Sequence, residues 1–162
     1  MSYPMCLPEQ FKLVRITNQI AANAVAASDY ICCKNAHKVW FVVSFSGTTG
    51  SDPVFSLLEA TDVAAGTNAA VTATFPIWLD NDQGTASDTY AKQTDAANYT
   101  VDLDSTSQAA FFIFEWDPAK HTSGYDCVAV AWTNGNASNK IHVLAMLAER
   151  YPQSAPPSAI ID

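Results

Sequence analysis

Apolar residues occupy both faces of the strand-forming stretches of this chain. Because side chains alternate along an extended backbone, Phe111, Ile113 and Glu115 point one way while Phe112, Phe114 and Trp116 point the other. The same two-sided pattern runs from Cys127 to Trp132, from Val39 to Phe45 and from Ile141 to Leu147. A lone sandwich covers only the inner face of each sheet. The pattern therefore predicts an assembling all-β protein whose outer faces meet other polypeptides.

The first eight residues hold Pro4 and Pro8, which remove two backbone donors and favour an extended arm carrying Tyr3, Met5 and Leu7. Residues 11–17 alternate well enough for a strand. The Ala-rich run 18–28 is short, uncapped and broken by Asn23, so it reads as an extended connection rather than a helix. Residues 29–33 and 37–46 follow as strands. The Gly, Ser, Thr, Asp and Pro of 47–53 predict a hairpin loop that returns antiparallel into 54–61. Residues 71–79 alternate too, but Pro76 demotes that run towards a sheet edge or a bulge. Residues 99–103 form a short strand within a polar region, and 111–116 form a strong one. Asp117 and Pro118 are placed to cap and open one helical turn through His121, which Gly124 ends. Asn134-Gly135 between 127–132 and 140–147 is the strongest hairpin signal. The tail carries Pro152, Pro156 and Pro157 and should run extended to an apolar end, Ala159, Ile160 and Ile161.

There is no internal repeat, and about nine strands with short loops predict an antiparallel two-sheet β-sandwich, jelly-roll-like. The expected organisation is an N-terminal arm over 1–10, a sandwich over 11–150 and a Pro-rich C-terminal arm over 151–162.

Composition sharpens this picture. At 162 residues the chain suits one domain, and its charged fraction of 15% is low beside a hydrophobic fraction of 49%. Eight basic residues, scattered singly, face sixteen acidic ones. A phosphate backbone or an anionic membrane demands clustered Lys and Arg, so neither is an expected partner. No stretch approaches the roughly 20 apolar residues of a membrane helix, and the N-terminus lacks a signal-peptide layout, which points to the cytosol. The Asn-x-Ser/Thr triplets at Asn98 and Asn136 then read as chance matches.

Candidate chemistry is thin. Cys6, Cys32, Cys33 and Cys127 show no paired C-x-x-C spacing, and adjacent Cys32 and Cys33 point to opposite sides of a strand, so buried free thiols are expected. His37, His121 and His142 lack ligand spacing. Asp80 with Asp82, and Asp102 with Asp104, place carboxylates on one face where Ca²⁺ or acid–base chemistry is conceivable, yet acids in a region with six acidic residues against Lys92 are usually just solvated. Trp40, Trp78, Trp116 and Trp132 fall in apolar strands, which favours core or intersubunit packing over a sugar platform. No nucleophile elbow, phosphate loop or dinucleotide fingerprint occurs, so no enzyme, cofactor or metal is expected.

Several stretches resemble the head decoration, cement or stabilisation proteins of tailed bacteriophages, small β-rich virion proteins specified beside the major capsid protein. They are "SDYICCKNAHKVWFVVSFSG", "FSLLEATDVAAG", "YAKQTDAANYTVDLDS" and "GYDCVAVAWTNGNASNKIHVLAMLAERYPQSAPPSAIID". The ending, with Arg150, Tyr151, Pro152, Gln153 and Pro156-Pro157, is the most distinctive. The resemblance implies a structural protein, synthesised in the bacterial cytoplasm, that binds the outer surface of an HK97-type capsid as a homo-oligomer, trimer or dimer. Its partners would be the major capsid protein and itself, and it transfers no active site. On that reading Tyr3, Met5 and Leu7 at one end, and Tyr151, Ile160 and Ile161 at the other, lie in grooves of neighbours. Alternatives are a carbohydrate-binding head spike or adhesin, and a connector or tail component.

Overall fold

The computed structural model describes residues 11–17, 20–23, 26–47, 52–80, 89–102, 108–133, 136–151 and 158–161. They form two antiparallel sheets packed face to face. The larger, seven-stranded sheet runs in the order β1 (Phe11–Arg15), β12 (Lys140–Glu149), β4 (Ala36–Gly47), β10 (Gln108–Trp116), β7 (Ile77–Asp80) and β8 (Tyr90–Lys92). A short β2 (Ile20–Ala21) pairs with β12 beyond the end of β1. The five-stranded sheet runs β3 (Ile31–Cys32), β11 (Cys127–Trp132), β5 (Val54–Ala60) and β6 (Asn68–Ala70), with β9 (Asn98–Thr100) sharing the β6 side of β5. The expected sandwich is what the residues build.

Alternation decides which side chains enter the core. Val39, Phe41, Val43 and Phe45 of β4, Phe112, Phe114 and Trp116 of β10, and Ile141, Val143, Ala145 and Leu147 of β12 are buried on the inner face of the larger sheet. Phe55 and Leu57 of β5 and Val128, Val130 and Trp132 of β11 oppose them. Ring pairs join the sheets: Phe55 lies 5.0 Å from Phe112 and 5.7 Å from Phe45, and Tyr99 lies 5.0 Å from Phe112. Edge-on aromatic contacts of this kind add to what area burial alone contributes.

Two expected hairpins do not form. The 37–46 and 54–61 segments lie in different sheets, β4 in the larger and β5 in the smaller, and β11 and β12 are separated in the same way. The reason is burial. Phe45 and Phe55 meet across the sandwich rather than side by side, and β11, buried along its whole length, sits between β3 and β5. Turn composition marks where a chain reverses, but not whether it stays in its sheet. Asn134-Gly135 lies outside the described residues.

The 71–79 run is cut at Pro76, and β7 starts just after it, between β10 and β8 rather than at an edge. Pro76 still accepts a hydrogen bond from the Glu115 N–H at 3.0 Å, so only its missing donor is lost to the sheet. The cap at 117 appears as expected: Asp117 Oδ1 accepts from the Ala119 N–H at 2.9 Å, opening a single 3-10 turn over Pro118–Lys120.

Candidate interaction surface

The outer face of the larger sheet is where the two-sided pattern becomes a surface. Strand register aligns Arg15, Leu144, Val42, Ile113, Trp78 and Lys92 in one row that crosses β1, β12, β4, β10, β7 and β8. Four adjacent apolar side chains thus lie between two cationic ones. Six strands spaced about 4.8 Å apart make this row roughly 24 Å long. A parallel row places Leu13, Met146, Trp40 and Glu115 side by side, and a third places His142, Ser44 and Phe111.

Val42, Ile113, Leu144, Met146, Trp40 and Trp78 are all intermediate in exposure, while Leu13 and Tyr90 at the two margins are 41% and 44% exposed. Phe11 packs edge-on against Trp40 at 5.9 Å, and Tyr90 packs against Phe111 at 6.1 Å. The thirteen positions of these three rows, eight of them apolar, cover on the order of 400 Å², about half of what one partner contributes to a standard interface.

The polar end of this face holds an orphaned atom. His142 Nε2 is buried and has no hydrogen-bond partner among the described residues, beside an open depression of about 290 Å³ lined by Ser44, Ser46, Lys140, Ile141 and His142. A buried polar nitrogen left unpaired is unfavourable until something pairs with it.

The smaller sheet behaves differently. Cys127, Ala129 and Ala131, on its outer side, are buried within this chain, so the apolar surplus of β11 is covered without a partner. The expectation of open outer faces therefore holds for one sheet and fails for the other. Small side chains explain the difference, because they expose little once neighbours approach.

Of the sequence-designated interface residues, Tyr3, Met5 and Leu7 lie outside the described residues. Tyr151 and Ile161 are each 70% exposed and Ile160 is 52% exposed. The end of the C-terminal arm folds back on its own chain first: Ala159 is buried, and its carbonyl accepts from the Cys32 N–H at 2.7 Å. That docking leaves Ile160 and Ile161 presented to solvent next to β3.

Other candidates separate under the fold. Asp82 and Asp104 lie outside the described residues, and Asp80 and Asp102 belong to no cluster of potential metal ligands among the described ones. Trp116 and Trp132 are core residues, whereas Trp40 and Trp78 lie on the open face. His37 is exposed at the start of β4. His121 is the exception that sequence reading missed. It is buried against Glu59, 62 positions away, with Nδ1 3.3 Å from the carboxylate. A carboxylate–imidazole pair is half of a nucleophile-activating array, but the other ring nitrogen faces the Trp116 indole, which is no nucleophile. The pair is structural.

No protein family model matches the chain, and no curated protein does. Among solved structures, the SPBc2 prophage-derived protein YomS is similar over 85% of this chain and 91% of its own, with a TM-score of 0.42 and 9% identity. A likeness at that level carries no argument about role. No helix among the described residues is long and apolar enough to cross a membrane.

Proposed function

We propose that this protein is a non-enzymatic structural component of a phage particle, seated on the outer surface of an HK97-type capsid as a decoration or cement protein. The observation that carries the reading is the row Leu144, Val42, Ile113 and Trp78, partly exposed on the outer face of the larger sheet. Resemblance to the phage decoration family supplies the identity of the partner, the major capsid protein. Acidic net charge, −8, also suits the outside of a DNA-filled shell.

One such face is too small to bind tightly alone. Its area is about half of a standard contribution, so strength has to come from additional contacts or from several copies acting together. Ile160, Ile161 and Tyr151 provide candidate second contacts. His142 Nε2 offers a polar anchor that a docked carbonyl, hydroxyl or amide could satisfy.

The experiment replaces Val42 by Glu and Ile113 by Lys, singly, and measures co-sedimentation with capsids of the same phage. Both variants should fold, by circular dichroism, and lose capsid occupancy; full occupancy would overturn the proposal. Removing 153–162 should lower occupancy or particle heat resistance as well.

Trp40 and Trp78 on the same open face favour one second reading, a head spike that stacks sugar rings on flat aromatic surfaces. A glycan array distinguishes the two, because a cement protein should be silent on it.

A further inference from the structure

The pairing of β3 with β11 brings together three side chains that no motif connects. Cys32 and Cys127 are direct cross-strand partners. The Cys33 N–H donates to the Asp126 carbonyl at 2.7 Å, so the neighbouring Cys32–Cys127 position is the non-hydrogen-bonded kind, where Cα atoms approach to about 4.5 Å and side chains lie closest. Asp126 completes the group. Its Oδ1 accepts from the Cys127 thiol at 3.3 Å, while its Oδ2 pairs with the Lys34 ammonium at 3.1 Å. One ligand atom from each of Cys32, Asp126 and Cys127 lies within 4.8 Å of the others, and neither cysteine is in a disulfide.

We propose that Cys32, Asp126 and Cys127 form a binding site for one thiophilic divalent cation, with zinc the first candidate. Two sulfurs and a carboxylate oxygen are ligand types that zinc takes, at about 2.3 Å for sulfur and about 2.0–2.2 Å for oxygen. Strand pairing already sets the backbones of Cys32 and Cys127 opposite each other, and Asp126 directly precedes β11. Lys34 holds the second carboxylate oxygen and so orients the first, the role that outer partners play in metal sites. Cys127 is buried while Cys32 and Asp126 are partly exposed, which gives an ion a way in and leaves a fourth position for water or a neighbouring molecule's side chain.

Binding displaces the two thiol protons to solvent and involves no oxidation, so affinity rises with pH. The ion would rivet β3 to β11 at the sheet edge where the C-terminal arm docks through Ala159. This inference is independent of the capsid reading.

The test titrates Co²⁺ and Zn²⁺ into the full chain purified with a non-chelating phosphine reductant. One Co²⁺ per chain should bind with a thiolate-to-cobalt charge-transfer band and the visible bands of a four-coordinate ion, and Zn²⁺ should displace it. Zn²⁺ at 100 times its Kd should raise Tm by roughly 5–10 °C. Cys32→Ser and Cys127→Ser should abolish the band, Asp126→Asn should weaken binding by on the order of 10- to 100-fold, and Cys33→Ser should leave it unchanged. Cys32 is partly exposed, so its variant remains informative if Cys127→Ser fails to fold. Absence of the charge-transfer band in the reduced wild-type chain, or its survival in Cys32→Ser, overturns the proposal. So does a pair that only closes to a disulfide under oxidant and binds no metal when reduced.

Discussion

The indole N–H of Trp116 points at Nε2 of His121 across 3.3 Å, and because an indole nitrogen only donates, Nε2 must be the bare nitrogen of that ring. The proton then sits on Nδ1, which donates to Glu59 Oε2 at 3.3 Å, and the same oxygen accepts from the Thr122 N–H at 3.0 Å. A charged imidazolium would face the indole hydrogen with a hydrogen of its own. Burial accordingly holds the His121 pKa below its ordinary 6.5, outweighing the opposing pull of Glu59. Burial pushes Glu59 upward, but hydrogen bonds from Thr122 and His121 outweigh it and hold the carboxyl below its ordinary 4.5.

Both shifts make the fold acid-sensitive. With its pKa depressed, folded His121 binds fewer protons than unfolded His121, so stability falls as pH drops below 6.5. Glu59 adds a second loss in stronger acid, as pH falls through its lowered folded value. Thermal melts from pH 8 to pH 4 should be level above neutrality and decline below it. In His121→Gln the decline just below pH 6.5 should flatten; an unchanged slope would assign the sensitivity elsewhere.

Glu59 is buried among apolar neighbours because two donors meet it there. Glu59→Ala strands the Thr122 N–H and the His121 Nδ1–H, an expected loss of about 2–4 kcal/mol in urea denaturation at pH 7. A loss below about 0.5 kcal/mol, within the range of an ordinary surface change, would mean that water replaces the carboxylate freely.

Phe112 touches Phe55, Tyr99 and Phe114, at 5.0 to 5.1 Å between ring centres, and is fully buried. Truncating it opens a cavity between the sheets. Phe112→Ala should cost about 3–5 kcal/mol, whereas Leu13→Ala on the open margin should cost less than about 1 kcal/mol in the isolated chain. Equal losses would contradict the assignment of inner and outer faces.

Gly124 adopts φ +93° after the 3-10 turn, and a Cβ added there meets nothing within 4 Å. Gly124→Ala therefore isolates backbone strain from steric clash, and stability should drop by about 1 kcal/mol. No change would show that the 122–126 turn relaxes to another conformation.

The thiols should react in order of access. Burial pushes the Cys33 thiol far above its ordinary value, and Cys127 is equally enclosed, whereas Cys32 is partly exposed. Iodoacetamide with peptide mapping should label Cys32 first and leave Cys33 unmodified until the chain unfolds. Early labelling of Cys33 would contradict its burial.

Much of this fold could be read from neighbouring residues alone. Alternation assigned Phe112, Phe114 and Trp116 to one side of a strand and Phe111 and Ile113 to the other, and the side facing the core followed once a second sheet was assumed. Asp117-Pro118 announced its turn because a cap acts over two residues. The open face was legible as a property of single strands, but not as a row. Only register sets Val42 beside Leu144 and Ile113, and Ile113 beside Trp78.

What the chain's order of residues determined by itself is the long strands, their alternating faces and the places where the backbone reverses, since each depends on contacts a few residues long; the short β2, β6 and β8, which exist only through their pairing partners, it did not mark. Tertiary structure decided which strands pair. It split β4 from β5 and β11 from β12 despite loops that looked like hairpins, because facing Phe45 to Phe55 across the sandwich packs both rings in the core. It also set Cys32 beside Cys127 and His121 beside Glu59. Such meetings depend on the competition of all apolar surfaces for one core, and no local pattern records its outcome.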